Sequence, residues 1–176
     1  MPARSARLTL LGALVAALAA SSPAWAQDLS VTGLSGQTVT LAAADIAALP
    51  HVTLAISVED KSHTYEGVRL TDILARVGAP EGKALKGADL ADVVLITAKD
   101  RYAVALSLAD TDPLVRKEQI ILADKADGAP LPDGLGPYRL VVEGDQRGAR
   151  MARMVVSIAL LRAATTDRLS PTVQGR

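Results

Sequence analysis

Three arginines, Arg147, Arg150 and Arg153, cluster at and just after a polar, glycine-punctuated loop, Glu143-Gly144-Asp145-Gln146-Arg147-Gly148. Guanidinium groups are rigid forked donors that suit carboxylates, phosphates and flat polar rings. The chemistry on offer is therefore recognition of an anionic or planar ligand; the alternative is three solvated loop charges. Other chemistries lack their residues. The chain has no cysteine and two well-separated histidines, His51 and His63, which gives no metal-ligand spacing. Gly33-Leu34-Ser35-Gly36 is too short for a phosphate loop and has no helix after it. Ser57, Ser107 and Ser157 fall inside strand-like runs, with no nucleophile–base constellation around them. His51, just after Pro50, reads as a surface loop residue, and His63 as a strand residue.

The elements around the arginines are readable. Gly134-Leu135-Gly136-Pro137 is a turn, 138–142 a short strand and 149–161 a second apolar run, so the loop hangs between two strands. Residues of equal parity share a strand face. Ala152, Met154, Val156, Ile158 and Leu160 make that face the core side. Arg150 has the same parity and points inward at the core's rim if the strand already runs there, where it needs an acceptor. Arg147 and Arg153 take the other face.

The chain opens with Arg4 and Arg7, an apolar run over 8–20 and the small-x-small site Ala24-Trp25-Ala26, the pattern of a secretory signal peptide cut before Gln27. No Arg-Arg pair supports a twin-arginine route, and an uncleaved anchor is the alternative. Residues 1–26 are thus expected to leave, 27–164 to form one domain and 165–176 to be a flexible tail. Loss of Arg4 and Arg7 leaves 17 basic against 19 acidic residues, a net charge near −2 that argues against nucleic acid as a partner. Without cysteine the core must hold the fold unaided.

The remaining elements are short. Strands are expected at 28–34, 38–41, 52–59, 62–66, 93–98, 101–108 and 120–123. Helices are expected at 42–49, closed by Pro50, and at 71–77. The second has Thr71 as N-cap, an apolar stripe of Leu70, Ile73, Leu74 and Val77, and Gly78 with Pro80 as its end. Asp127-Gly128 is a turn. The sum is an α+β, strand-rich single domain.

Four motifs in order carry a resemblance. Tyr65-Glu66-Gly67-Val68-Arg69-Leu70-Thr71-Asp72-Ile73-Leu74 resembles the Y-x-G-V-x-L-x-D-L-L segment of the molybdopterin-binding oxidoreductase domain, the sulfite oxidase fold. Asp100-Arg101-Tyr102 is similar to its D-G-Y hairpin. Ile121-Leu122-Ala123 followed by Asp127-Gly128-Ala129-Pro130-Leu131 is similar to its L-L-A…D-G-x-P-L segment. Gly136-Pro137-Tyr138-Arg139-Leu140-Val141-Val142-Glu143-Gly144 is similar to its G-P-x-R-L-V-V-P-G. Enzymes of that family bind molybdenum through one cysteine thiolate in a loop near the first third of the domain. Here that region is 55–60, with Ser57 and no thiol, and the family's lysine–tryptophan pair is replaced around Arg150-Met151. The chain is also shorter than those enzymes and lacks their dimerisation domain.

Some small, secreted, cysteine-less members of the superfamily bind free pterins and partner membrane proteins that make or degrade cyclic di-GMP. The resemblance thus implies a non-catalytic periplasmic binding protein for a pterin or molybdopterin-like ligand, not covalently held, that signals to the periplasmic domain of a membrane sensor. A pterin is flat, with an edge that pairs with a carboxylate. Tyr65, Arg101, Tyr102 and Arg150 are the candidates to stack on it, Asp100 or Asp145 to accept from its edge, and Arg139 and Arg147 to meet hydroxyl or phosphate substituents. Each has a plainer reading: Tyr65 and Tyr102 as half-buried strand residues, Asp100 as a turn former, Arg139 as a solvated charge. Two other functions stay open. One is a degenerate molybdenum-cofactor oxidoreductase with another metal ligand. The other is a ligand-free interaction scaffold, which a filled core in place of the pocket would favour.

Overall fold

The computed structural model describes residues 27–58 and 61–163; the expected signal peptide and the expected tail lie outside them. Among the described residues, ten strands form two five-stranded sheets. In the first, β1 (Leu29–Thr32) and β2 (Thr38–Leu41) make a hairpin, and β5 (Val93–Ala98) and β6 (Ala103–Ser107) make another. The last strand, β10 (Val155–Leu161), lies between the hairpins, parallel to β1 and antiparallel to β5. In the second sheet, β3 (His51–Val58) pairs with β4 (Lys61–Arg69), and β4 with β7 (Ile120–Ala126). The far side of β7 carries both β8 (Ala129–Pro130) and β9 (Arg139–Val142). Among the described residues no helix is long and apolar enough to cross a membrane.

Alternation produces these sheets. Val94, Ile96, Ile158 and Leu160 from the first and Val68, Leu122, Leu140 and Val142 from the second meet in one buried apolar cluster. The helix α2 (Leu70–Leu74), extended by a 3-10 turn over Ala75–Val77, adds the stripe expected of it: Leu70, Ile73, Leu74 and Val77 are all buried. Gly78 ends it in the left-handed conformation at φ 71°. The other helix, α1, is Ala43–Ala47, with Ala42 as its N-cap; Asp45 reaches back to accept from Ala42 N at 2.9 Å.

Four expectations are corrected. Thr71 is not the cap of α2, which starts one residue earlier after Arg69; its hydroxyl instead donates to Thr111 O and ties the helix to a neighbouring turn. His51 is not a loop residue but opens β3. The last strand begins at Val155, not at 149, because Gly148–Arg150 is a 3-10 turn and Met154 takes a left-handed φ of 51°. A register shift between Val155 and Ser157 then rephases the strand: Val155 is buried while Met154 and Val156 are half-buried, and the expected parity holds for Ala152, Ile158 and Leu160.

One glycine is fixed by sterics. A β-carbon on Gly67 would lie 2.2 Å from Leu122 O and 2.4 Å from Ala123 Cα, both backbone atoms of the neighbouring strand. Gly67 sits at the register shift between β4 and β7, where the strands approach too closely for a side chain. Gly67→Ala is expected to destabilise the fold by about 3 kcal/mol or more. Urea unfolding would measure it, and a loss of less than about 1 kcal/mol would contradict this packing.

Candidate functional site

The eight residues expected at a site fall into two groups. In the first, the β5–β6 turn touches the loop before β10. The Asp100 carboxylate accepts from Tyr102 N at 2.9 Å, so it shapes its own turn, with Arg101 left-handed at φ 72°. Half-exposed Tyr102 donates its hydroxyl to Ala149 O at 2.6 Å. Asp145 and Arg150 form a forked pair, with Arg150 Nε 2.9 Å from Oδ2 and Nη2 bonded to Oδ1. The acceptor that Arg150 needed lies five residues away in its own loop. Arg150 is on the 3-10 turn rather than an inward strand position, a second consequence of the late start of β10. Arg147 and Arg153 are exposed.

In the second group, Arg139 on β9 and Tyr65 on β4 meet on the outer face of the second sheet. Arg139 Nη1 donates to the Tyr65 hydroxyl at 2.9 Å, and its guanidinium carbon lies 5.3 Å from the ring centroid. Arg139 Nε is buried and has no partner among the described residues. Tyr65 belongs to a second apolar cluster with Leu54, Ile56, Ile121, Val141 and Met151, all buried, so this part of the face is filled by side chains. Ser57, in the region expected to bear a thiol, exchanges a hydrogen bond with Ser62 at 2.7 Å.

A cleft opens beside these groups, lined by none of the eight. It has a volume of about 710 Å³. One wall is the small-residue face of α1, with Ala43, Ala44 and Ala47; the other is the segment of Pro130, Leu131, Pro132 and Pro137. Lys99, Asp124, Tyr138 and Met154 complete it. Lys99 and Tyr138 directly precede Asp100 and Arg139, so the sequence signal pointed one residue away. The size and mainly apolar walls suit a small molecule.

Its polar groups are few and specific. Asp124 Oδ2 is 3.2 Å from His51 Nε2, while His51 Nδ1 donates to Leu49 O at 2.8 Å. Both ring nitrogens face oxygen atoms. Asp124 Oδ1 is buried and has no hydrogen-bond partner among the described residues. A buried, unpaired carboxylate oxygen is costly, and a donor from a ligand would relieve it. Tyr138 is buried, and its phenol is pushed up to about 12, chiefly by desolvation and further by the carboxylates of Asp124 and Asp28. It stays protonated and able to donate. The arrangement can hold a flat, N–H-bearing ring. Among the described residues no group of three or more His, Cys, Asp or Glu could hold a metal ion. Sequence reasoning missed Asp124 because its partner His51 is 73 residues away.

A family model described as the oxidoreductase molybdopterin binding domain matches residues 18–168. Among solved structures, the sulfane dehydrogenase SoxCD from Paracoccus pantotrophus is similar in fold, with a TM-score of 0.60 and 18% sequence identity. The match covers 81% of this chain and 40% of that one, so this chain spans less than half the length of that neighbour. No curated protein matches the chain.

The Tyr138 phenol makes alkaline stability a probe of the cleft. Its folded value of about 12 lies above the ordinary value of 10, so the stabilisation is complete below about pH 10 and is lost as pH rises through 12. The loss is expected to be about 2–3 kcal/mol in wild type and to shrink in Tyr138→Phe. Denaturant midpoints across that window, with phenolate absorbance followed in parallel, would check it. An equal alkaline loss in both proteins would contradict the assignment.

Proposed function

Because the chain belongs to the oxidoreductase molybdopterin binding domain family, we propose that it is a non-catalytic binding module for a pterin-like small molecule. The observation that carries this reading is Asp124, which lines a cleft of about 710 Å³ and whose buried Oδ1 has no hydrogen-bond partner among the described residues. A pterin presents an amino group and a ring N–H on one edge, donors that match a carboxylate, and a flat body that suits proline and leucine walls. The Tyr138 hydroxyl supplies a donor for a ring nitrogen or carbonyl.

The residues do not fit the metal half of the family's cofactor. The chain has no cysteine to give a thiolate, and the Ser57 hydroxyl is engaged with Ser62. No step is therefore routed through molybdenum. What fits is the organic part: apolar walls for a flat ring and a carboxylate for its edge.

The reading extends to a periplasmic protein that reports its ligand state to the periplasmic domain of a membrane sensor making or degrading cyclic di-GMP. The signal-peptide pattern at 1–26 and the family resemblance of a cysteine-less chain support it.

Titration of the chain with reduced and oxidised pterins, followed by ligand fluorescence, tests the core of the proposal. Saturable binding is expected, weakened about tenfold or more by Asp124→Asn, as for loss of a charge-assisted hydrogen bond. Arg150→Ala is expected to leave the affinity within about twofold. If Arg150→Ala abolishes binding and Asp124→Asn does not, the ligand lies at the Tyr102–Arg150 loops instead. No binding by a folded protein across the series would leave the ligand-free scaffold as the better reading.

A further inference from the structure

The free edges of the two sheets differ in length. Edge strands β2, β6, β8 and β9 have 4, 5, 2 and 4 residues, and β8 ends in Pro130. The edge strand β3 has 8 residues, His-Val-Thr-Leu-Ala-Ile-Ser-Val, with no proline, glycine, lysine or acidic residue. Among the described residues it pairs with β4 alone. Natural edges are kept from pairing by shortness, charge, proline or bulges, and β3 has none of these. It presents a row of backbone donors and acceptors to whatever strand comes beside it.

We propose that β3 pairs antiparallel with β3 of a second copy of the chain, joining two five-stranded sheets across a two-fold axis. The residue pattern selects this partner. Antiparallel neighbours directly opposite each other share a face, so a two-fold pairing must match residues of like parity. Centred on Ala55, it sets Leu54 against Ile56 of the other copy and Thr53 against Ser57, with Ala55 facing itself. The apolar face of each strand, Leu54 and Ile56, is buried in its own protomer and continues into the other's. The opposite face offers Thr53, Ala55 and Ser57, all exposed in one copy and all small enough for close approach. A register centred on Leu54 would draw His51 into the ladder, whereas His51 is already held by Leu49 O and Asp124. The interface is isologous and closes after two copies.

Sedimentation of the purified chain over a range of concentrations tests the proposal. A monomer–dimer equilibrium is expected. Ala55→Lys, which places two ammonium groups face to face on the axis, should weaken it about tenfold or more while leaving the Tm of the dilute, monomeric chain unchanged, because Ala55 is exposed in the monomer. The absence of cysteine permits a second readout. Ala55→Cys should crosslink to a disulfide dimer under mild oxidation much faster than Ala105→Cys, an exposed control on β6. A chain that stays monomeric, with Ala55→Cys crosslinking no faster than the control, would overturn the proposal. So would a dimer that Ala55→Lys leaves intact, which would place the contact elsewhere or give the β3 edge to another segment.

Discussion

The backbone of residues 152–155 holds together segments that are far apart in the chain. Met154 N donates to Leu135 O and Met154 O accepts from Lys99 N; Val155 N donates to Tyr138 O and Ala152 O accepts from Leu140 N. These four bonds bring the β5–β6 turn, the glycine–proline segment before β9 and the start of β10 to one place. The left-handed Met154 is what turns the chain so that its N–H and C=O face different neighbours. The cleft and both arginine groups are arranged around this junction. Because β10 also fills the middle of the first sheet, its arrival completes the sheet and the junction together. Pairings of such long sequence separation are slow to form, since loop entropy is lost before the contacts reward it.

Much of this was legible because alternation and turn chemistry agree locally. The strands β2 and β5 match their expected bounds to the residue, and Asp127-Gly128 forms the tight turn between β7 and β8, both residues at positive φ. The start of β10 was not legible. A methionine gives no local sign of a positive φ, and a bulge reverses parity without altering composition. The Asp145–Arg150 pair is within one loop and was open to being found, but an arginine read as a strand residue directs attention to a distant acceptor. Asp124 was hidden for the opposite reason. In sequence it only ends the run Ile120-Ile121-Leu122-Ala123, and its meaning comes from a histidine on another strand and a helix that forms the opposite wall.

The family's fold is retained. On the outer face of the second sheet, Ile56, Tyr65 and Met151 fill space with carbon, and Arg139 is occupied with Tyr65. Two of the buried polar atoms without hydrogen-bond partners among the described residues, Arg139 Nε and Asp124 Oδ1, belong to this sheet; the others are the two carboxylate oxygens of Asp92, just before β5, beside Arg162. A protein that buries hydrogen-bonding atoms without satisfying them carries a cost of some 1–3 kcal/mol for each group.

His51 belongs to two places at once. Its backbone begins β3, the long open edge, and its ring is the neighbour of Asp124 in the cleft. The ring stays outside the proposed β3 ladder but fixes the residue at its root, so a ligand in the cleft and a second copy on β3, the two events proposed above, would meet at the two ends of one residue. Whatever factor one contributes to the affinity of the other is returned in equal measure.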